Sequence, residues 1–251
     1  MKKMLIIGNE LHAIRYINVL IFIDEFELYL LNDSDEANKI IKKYNLNKLD
    51  IGETTVDLIN SFDYIMFTTP NYFNNKYYNI IKEYNGILLF EKPQLNLFDY
   101  EDINCKIYFI HLRKFDDNVL DKKNNNYIEW PNLFNDGMDI YINTLPNVID
   151  FIYGLYENKN ISEFKILEFK NENNYIELKV NYYDTFLIKI YNTNEKGKSP
   201  MMNKTIIGWP NYYNCINNLA KQIISNNLNY KESIKYEKKY IDIVKKLRGD
   251  K

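Results

Sequence analysis

The chain has 251 residues, 46% of them apolar, enough to bury one sizeable core or two small ones, which excludes a peptide-scale scaffold and a long repeat array. Lys and Arg total 32 against 34 Asp and Glu, a net charge of -2; this balance offers no basic field for tracking a phosphate backbone, so nucleic acid is not an expected partner. The two cysteines, Cys105 and Cys215, lie far apart and outside any CxxC, which argues against a disulfide framework or a zinc cage and for a reducing cytoplasm with no metal.

The apolar opening Met4-Leu5-Ile6-Ile7 is broken by Gly8, Asn9 and Glu10, too short for the core of a leader, and no apolar run nears the ~18 residues that span a bilayer. A soluble chain off the membrane is expected. With 23 tyrosines but only 8 glycines and 6 prolines, the composition has the skew of an AT-rich genome. Lys122 to Asn126 is short and flanked by aromatic residues, which reads as an exposed loop.

Through the first hundred residues, short apolar runs alternate with helix-type stretches, the pattern of a parallel sheet covered on both faces. Lys3 to Ile7 is predicted as the first strand and Leu11 to Phe22 as a helix. Phe26 to Leu31 is the next strand, and Ser34 is placed to cap a helix running through Tyr44, its hydroxyl accepting from a first-turn N–H. Tyr64 to Thr68 and Gly86 to Phe90 are further strands around a helix from about Asn75 to Tyr84, and Ile107 to His111 is one more. These elements predict a Rossmann-like α/β domain over 1–112.

Beyond Arg113 the pattern changes. An Asn-rich loop leads to Trp130-Pro131, a helix is expected from about Leu145 to Tyr156, and strands over Glu163 to Phe169, Tyr175 to Tyr183 and Thr185 to Tyr191. The alternation Ile176-Glu177-Leu178-Lys179-Val180 marks a sheet with one face covered and one wet. A strand near Thr205 to Gly208 and helices over Tyr212 to Ser225 and Ser233 to Leu247 close the chain. An α+β domain with a mainly antiparallel open sheet is thus predicted over 113–251, its closing helices free to pack back on the first domain.

Gly8-Asn9-Glu10-Leu11 falls where the first strand turns into the first helix, the place at which a dinucleotide's pyrophosphate meets helix N–H groups. The pattern G-x-G-x-x-G is degenerate, because Glu10 occupies the second glycine's slot and a carboxylate would crowd and repel a phosphate. A tight turn with no cofactor fits the same residues. Asp33 ends the second strand, where an acidic side chain holds ribose hydroxyls and disfavours a 2′-phosphate, which favours NAD without excluding NADP; an ordinary turn aspartate reads the same way. Thr68-Thr69-Pro70-Asn71 and Glu91-Lys92-Pro93 each follow a strand, so both open on the carboxyl edge, where open α/β sheets bind ligands.

With its TTPN and EKP loops one helix and one strand apart, the sequence resembles the Gfo/Idh/MocA family of nicotinamide-dependent sugar oxidoreductases. The resemblance continues over Asn143 to Asp150, at the spacing of the family's "Asp-x-x-x-His-x-x-Asp" stretch, but with asparagine at both the Asp and the His positions. What it implies is an enzyme with NAD lying over the first sheet against Gly8, Asn9, Glu10, Leu11, Asp33, Thr68, Thr69, Pro70, Asn71 and Glu91. It also implies a sugar or sugar derivative held near Lys92, Tyr141, Asn143 and Asn147, with Lys92 as the catalytic residue. A nucleotide-linked or phosphorylated amino sugar of a surface-glycan pathway is the substrate expected from the family's breadth.

A partly desolvated ammonium such as that of Lys92 can stabilise a developing alkoxide, whereas Asn147 is a neutral amide that orients but cannot act as a base. Arg113 suits an anionic group of the substrate, though an interdomain salt bridge explains it equally. His111 is the candidate replacement acid, and Trp130 and Trp209 either stack on a sugar or pack under loops. A homo-oligomer formed through the outward face of the second sheet is expected. Two other readings stay open. One is an imine or double-bond reductase that needs no Asp/His pair, and the other a catalytically silent subunit that has lost it.

Overall fold

The computed structural model describes residues 1–8, 11–32, 34–50, 52, 54–68, 78–79, 81–92, 94, 103, 105–111, 125–133, 144–156, 160–172, 175–193, 198–207 and 211–249. Contacts divide the chain into one unit made of Met1–His111 with Tyr212–Glu237 and a second made of Leu112–Asn211 with Lys238–Lys251.

In the first unit, β1 (Lys2–Ile7), β2 (Phe26–Asn32), β3 (Asn47–Asp50), β4 (Tyr64–Phe67), β5 (Ile87–Glu91) and β6 (Lys106–Ile110) form one sheet in the order β3-β2-β1-β4-β5-β6. Every neighbouring pair is parallel. Both faces are covered, which is why residues 4–7 of β1 and the whole of β4 are unbroken apolar runs rather than alternating ones. Among the described residues, α1 (Leu11–Leu20), α2 (Asp35–Tyr44) and α3 (Val56–Asn60) intervene. Ser34 caps α2 as expected, its Oγ accepting the Ala37 N–H at 3.1 Å. Asp35 and Glu36 in the first turn of α2 and Lys42 and Lys43 in the last complement its dipole. The predicted helix from Asn75 falls mostly outside the described residues.

Neither β3 nor α3 is legible in the sequence. β3 is an edge strand of four residues with Asn47 and Lys48 exposed, and α3 is a five-residue turn capped by Thr55. On one face of the sheet a row of rings crosses the strands, Phe67 stacked on Phe90 at 4.7 Å and Phe90 on Phe109 at 6.0 Å. Beneath it the Tyr84 hydroxyl donates to the Phe62 carbonyl and accepts the Ile87 N–H. A Cβ at Gly86 would lie 2.1 Å from that hydroxyl oxygen, so the close approach requires glycine there.

Two late helices complete this unit. α5 (Tyr212–Ile224) packs on α1, with the Arg15 guanidinium 4.2 Å from the Tyr212 ring centre. Lys2 reaches the end of α5, its Nζ donating to the Ile223 carbonyl at 3.1 Å and to the Tyr64 hydroxyl at 3.2 Å. This places a cation where the helix dipole is negative. α6 (Tyr230–Arg248) starts with the Tyr230 ring edge-on to Tyr108 and with Ile234 against the sheet's core; its residues to Glu237 belong to this unit.

The second unit holds β7 (Asn125–Leu133), α4 (Leu145–Gly154), β8 (Lys165–Glu172), β9 (Tyr175–Tyr182), β10 (Asp184–Thr193), β11 (Met201–Met202) and β12 (Thr205–Ile206). The sheet order is β12-β11-β7-β10-β9-β8, antiparallel throughout except that β7 and β10 run parallel. The alternation predicted for β9 holds: Ile176, Leu178, Val180 and Tyr182 are buried. α4 meets this inner face through Phe151 against Trp130 and Tyr153 against Tyr182. A two-residue turn with positive φ at Asn203 and Lys204 joins β11 to β12.

Two expectations are corrected here. The Asn-rich stretch is not loop to its end, because Asn125 and Asn126 begin β7 and Asn126 is buried. Trp130 lies within that strand, fully buried in the second unit's core, which removes it from sugar stacking and from packing under a loop. The sequence hid β7 because proline at 131 and asparagines at 125, 126 and 132 are poor strand formers. β11 pairs β7 at Ile128 and Glu129, so among the described residues Pro131 has one paired neighbour, Tyr191 of β10. Trp209 lies outside the described residues.

Candidate functional site

The register of the parallel sheet brings the singled-out segments of the first unit to one edge. Ile7 pairs with Phe67, Phe67 with Phe90 and Phe90 with Phe109. The next row at the carboxyl ends is therefore Gly8, Thr68, Glu91 and Ile110. The strand order reverses between β1 and β4, the switch point at which open α/β sheets bind ligands, and Gly8 and Thr68 flank it. Gly8 is buried with φ 129, a backbone shape that favours glycine. Thr68 is 1% exposed and donates both its N–H, at 2.9 Å, and its Oγ1, at 3.2 Å, to the Ile7 carbonyl, which locks the mouth of the switch point. α1 begins at Leu11, three residues after Gly8, so its first N–H groups rise from the same edge.

At the end of β5 stands a cluster of buried charge. Glu91 and Lys92 are each 7% exposed. Glu91 accepts a hydrogen bond from the Tyr16 hydroxyl of α1. Burial first and the Glu91 charge second hold that phenol well above the ordinary tyrosine range. Past Lys92, Gln94 donates through Nε2 to the Glu91 carbonyl at 2.7 Å and through its N–H to Oε1 of Glu237 on α6 at 2.8 Å. Glu237 is fully buried, and burial pushes its carboxyl up to about 7, against the Gln94 N–H and the Lys92 charge and with the help of Glu91. His111, one residue past β6, is 4% exposed, with its ring 4.1 Å from that of Tyr236.

Of the residues singled out from sequence, Gly8, Thr68, Glu91 and Lys92 are gathered at this edge, with the start of α1 at Leu11. Asn9, Glu10, Asp33, Thr69, Pro70, Asn71, Arg113, Tyr141 and Asn143 lie outside the described residues. Asn147 is half-buried in the first turn of α4, in the second unit. Tyr16, Gln94 and Glu237 escaped the sequence reading. Glu237 leaves a trace there, because with Ser233 and Tyr240 it occupies the buried stripe of α6, where a charged residue needs a reason. Tyr16 leaves none, since a tyrosine on the apolar side of α1 reads as core.

No family model matches the chain, and no curated protein does. Solved structures do, over nearly their full length. The chain is similar to the WlbA (WbpB) dehydrogenase of Thermus thermophilus, solved with NAD and UDP-GlcNAcA, at a TM-score of 0.69 and 11% identity over 99% of this chain and 95% of that one. A putative myo-inositol dehydrogenase of Sinorhizobium meliloti 1021 gives 0.69 at 10% identity over 100% and 97%. The UDP-N-acetylglucosamine 3-dehydrogenase GnnA of Acidithiobacillus ferrooxidans gives 0.67 at 8% over 99% and 97%. The shared fold is that of Gfo/Idh/MocA-type dehydrogenases, the fold implied by the TTPN and EKP loops.

Proposed function

We propose that the chain is a divergent Gfo/Idh/MocA-type oxidoreductase that uses NAD to move a hydride to or from a sugar derivative. The observation that carries this reading is the buried pair Glu91 and Lys92 at the carboxyl edge, in line with Gly8 and Thr68 at the switch point. A bare scaffold has no use for a nearly buried ammonium, because desolvating it costs several kcal/mol, on the order of the whole of a domain's stability. The cofactor supplies the acceptor for a hydride from a carbinol carbon. The chain would hold the rest: Gly8 and the first turn of α1 would face the phosphates and Thr68 and Glu91 the ring end, while Lys92 binds the reacting hydroxyl and stabilises its oxygen as the hydroxyl proton passes to solvent water.

The similarity to UDP-sugar dehydrogenases supports a nucleotide-linked amino sugar as substrate, and the Asp33 position supports NAD over NADP. Arg113, Tyr141, Asn143 and Asn147 are the candidate contacts to the sugar. The reading extends to a homo-oligomer formed through the outer face of the second sheet, where Tyr127 and Leu187 pair side by side and are 36% and 43% exposed.

Isothermal titration of the chain with NAD, followed by absorbance assays of a UDP-sugar and inositol panel, tests the proposal. Saturable NAD binding with hydride transfer to at least one sugar is expected. Absence of binding at millimolar NAD overturns it and leaves the silent-subunit reading, while binding with C=N reduction and no hydroxyl oxidation selects the imine reductase.

A further inference from the structure

Among the groups of the cluster after β5 that the redox reading leaves unused is a buried carboxyl. Glu237 lies fully buried on α6, Oε1 accepting the Gln94 N–H and Oε2 accepting no hydrogen bond among the described residues. An apolar side chain of similar volume would fill that place at lower cost, so the carboxyl calls for a function. The groups that face it are Lys92, Glu91 and the Gln94 amide from the end of β5, and Tyr16 of α1 through its bond to Glu91. From β6, His111 meets Tyr236, the residue before Glu237. Lys92 is the cation whose charge acts on this carboxyl.

We propose that Glu237 is a positioning residue for Lys92: through the Gln94 amide it fixes the segment after β5, and through its own charge it sets the field in which the Lys92 ammonium works. The inference rests on the role given to Lys92 above. It assigns a titratable partner to a chain that carries asparagine at 143 and 147, where the family has its acid/base pair. With Glu237 neutral, the ammonium faces substrate without a counter-charge from α6; with Glu237 ionised, a negative charge on α6 acts on it. Burial pushes this carboxyl up to about 7, so the change of state falls within the working range of an enzyme near neutrality, and Lys92 pulls hardest on an alkoxide on the acid side of it.

Infrared difference spectroscopy of the full chain in D2O reads this without cofactor or substrate. The expected result is a protonated buried-carboxyl band at about pH 5, absent from Glu237→Gln and titrating away in the wild type near 7. Lys92→Met raises that midpoint by about one pH unit, and Lys92→Arg, which keeps the charge, leaves it in place. A purely structural Glu237 would titrate alike in all three. Lys92→Gln serves if Lys92→Met does not fold. A midpoint unmoved by loss of the Lys92 charge, or a Glu237 already ionised at about pH 5, overturns the proposal. Failure of NAD binding alone would overturn the cofactor assignment and leave this coupling standing.

Discussion

The two units bury polar groups in different ways. At the carboxyl edge of the first sheet the buried set includes Glu91, Lys92, Gln94, His111 and Glu237, rich in groups that carry or exchange charge. In the second unit it is Asn126, Asn132, Thr144 and Asp150, mostly neutral. There Thr144 donates to Asn132 Oδ1, Asn132 Nδ2 donates to Asn192 at 2.8 Å, and Asn203 Nδ2 donates to Asn126 at 3.0 Å. Amides pair donor with acceptor and need no counter-ion, so such a network pins register and loops at small cost. Buried charge costs several times more. The difference teaches that buried charge is concentrated at the candidate site, while the second unit's described buried polar groups mostly hold shape.

Removing the charge that matters most should break the comparison furthest. With whichever sugar the panel returns, Lys92→Met is expected to lower kcat/KM by about 10³-fold, roughly 4 kcal/mol, with NAD affinity largely kept; steady-state kinetics beside cofactor titration checks both. Next is the pH dependence of folding. Glu237 binds its proton more tightly folded than unfolded, so its contribution is full below the ordinary carboxylate range and is lost as pH rises through about 7. The loss is on the order of 3 kcal/mol. Urea melts at about pH 5 and pH 8 should show that decline in the wild type and a flatter dependence in Glu237→Gln.

Smaller effects follow in the neutral cluster. Asn132→Ala leaves Thr144 and Asn192 without this partner and is expected to cost about 2 kcal/mol in a denaturant melt while NAD binding does not change. A change in cofactor affinity there would erase the distinction between the units. Tyr16→Phe removes the donor to Glu91 and should cost about 1–2 kcal/mol, with a weaker NAD signal than wild type because Glu91 loses its anchor on α1.

Much of this was legible from periodicity. β1, β2, β4, β5 and β6 announce themselves as apolar runs bounded by turn residues, and β9 by strict alternation, because burial on two faces or one dictates those patterns. The Glu91-Lys92 edge was legible because sheet geometry puts every strand's carboxyl end on one side. β3, α3 and β7 were not, since edge strands and short turns bury too little to leave a pattern, and β7 is written in Asn and Pro. Glu237 was hidden for a different reason: it lies 145 positions from Lys92 in sequence, and only the tertiary fold brings α6 to the end of β5.

The bond from Lys2 to the carbonyl of Ile223, 221 positions later, has a bearing on synthesis. β1 cannot secure this anchor until residue 223 has been made, and the face of α1 that meets α5 waits uncovered until then. A fragment ending at His111 would therefore lack the cover that α5 gives α1 and would expose an oily surface there, so the first unit depends on a late clasp.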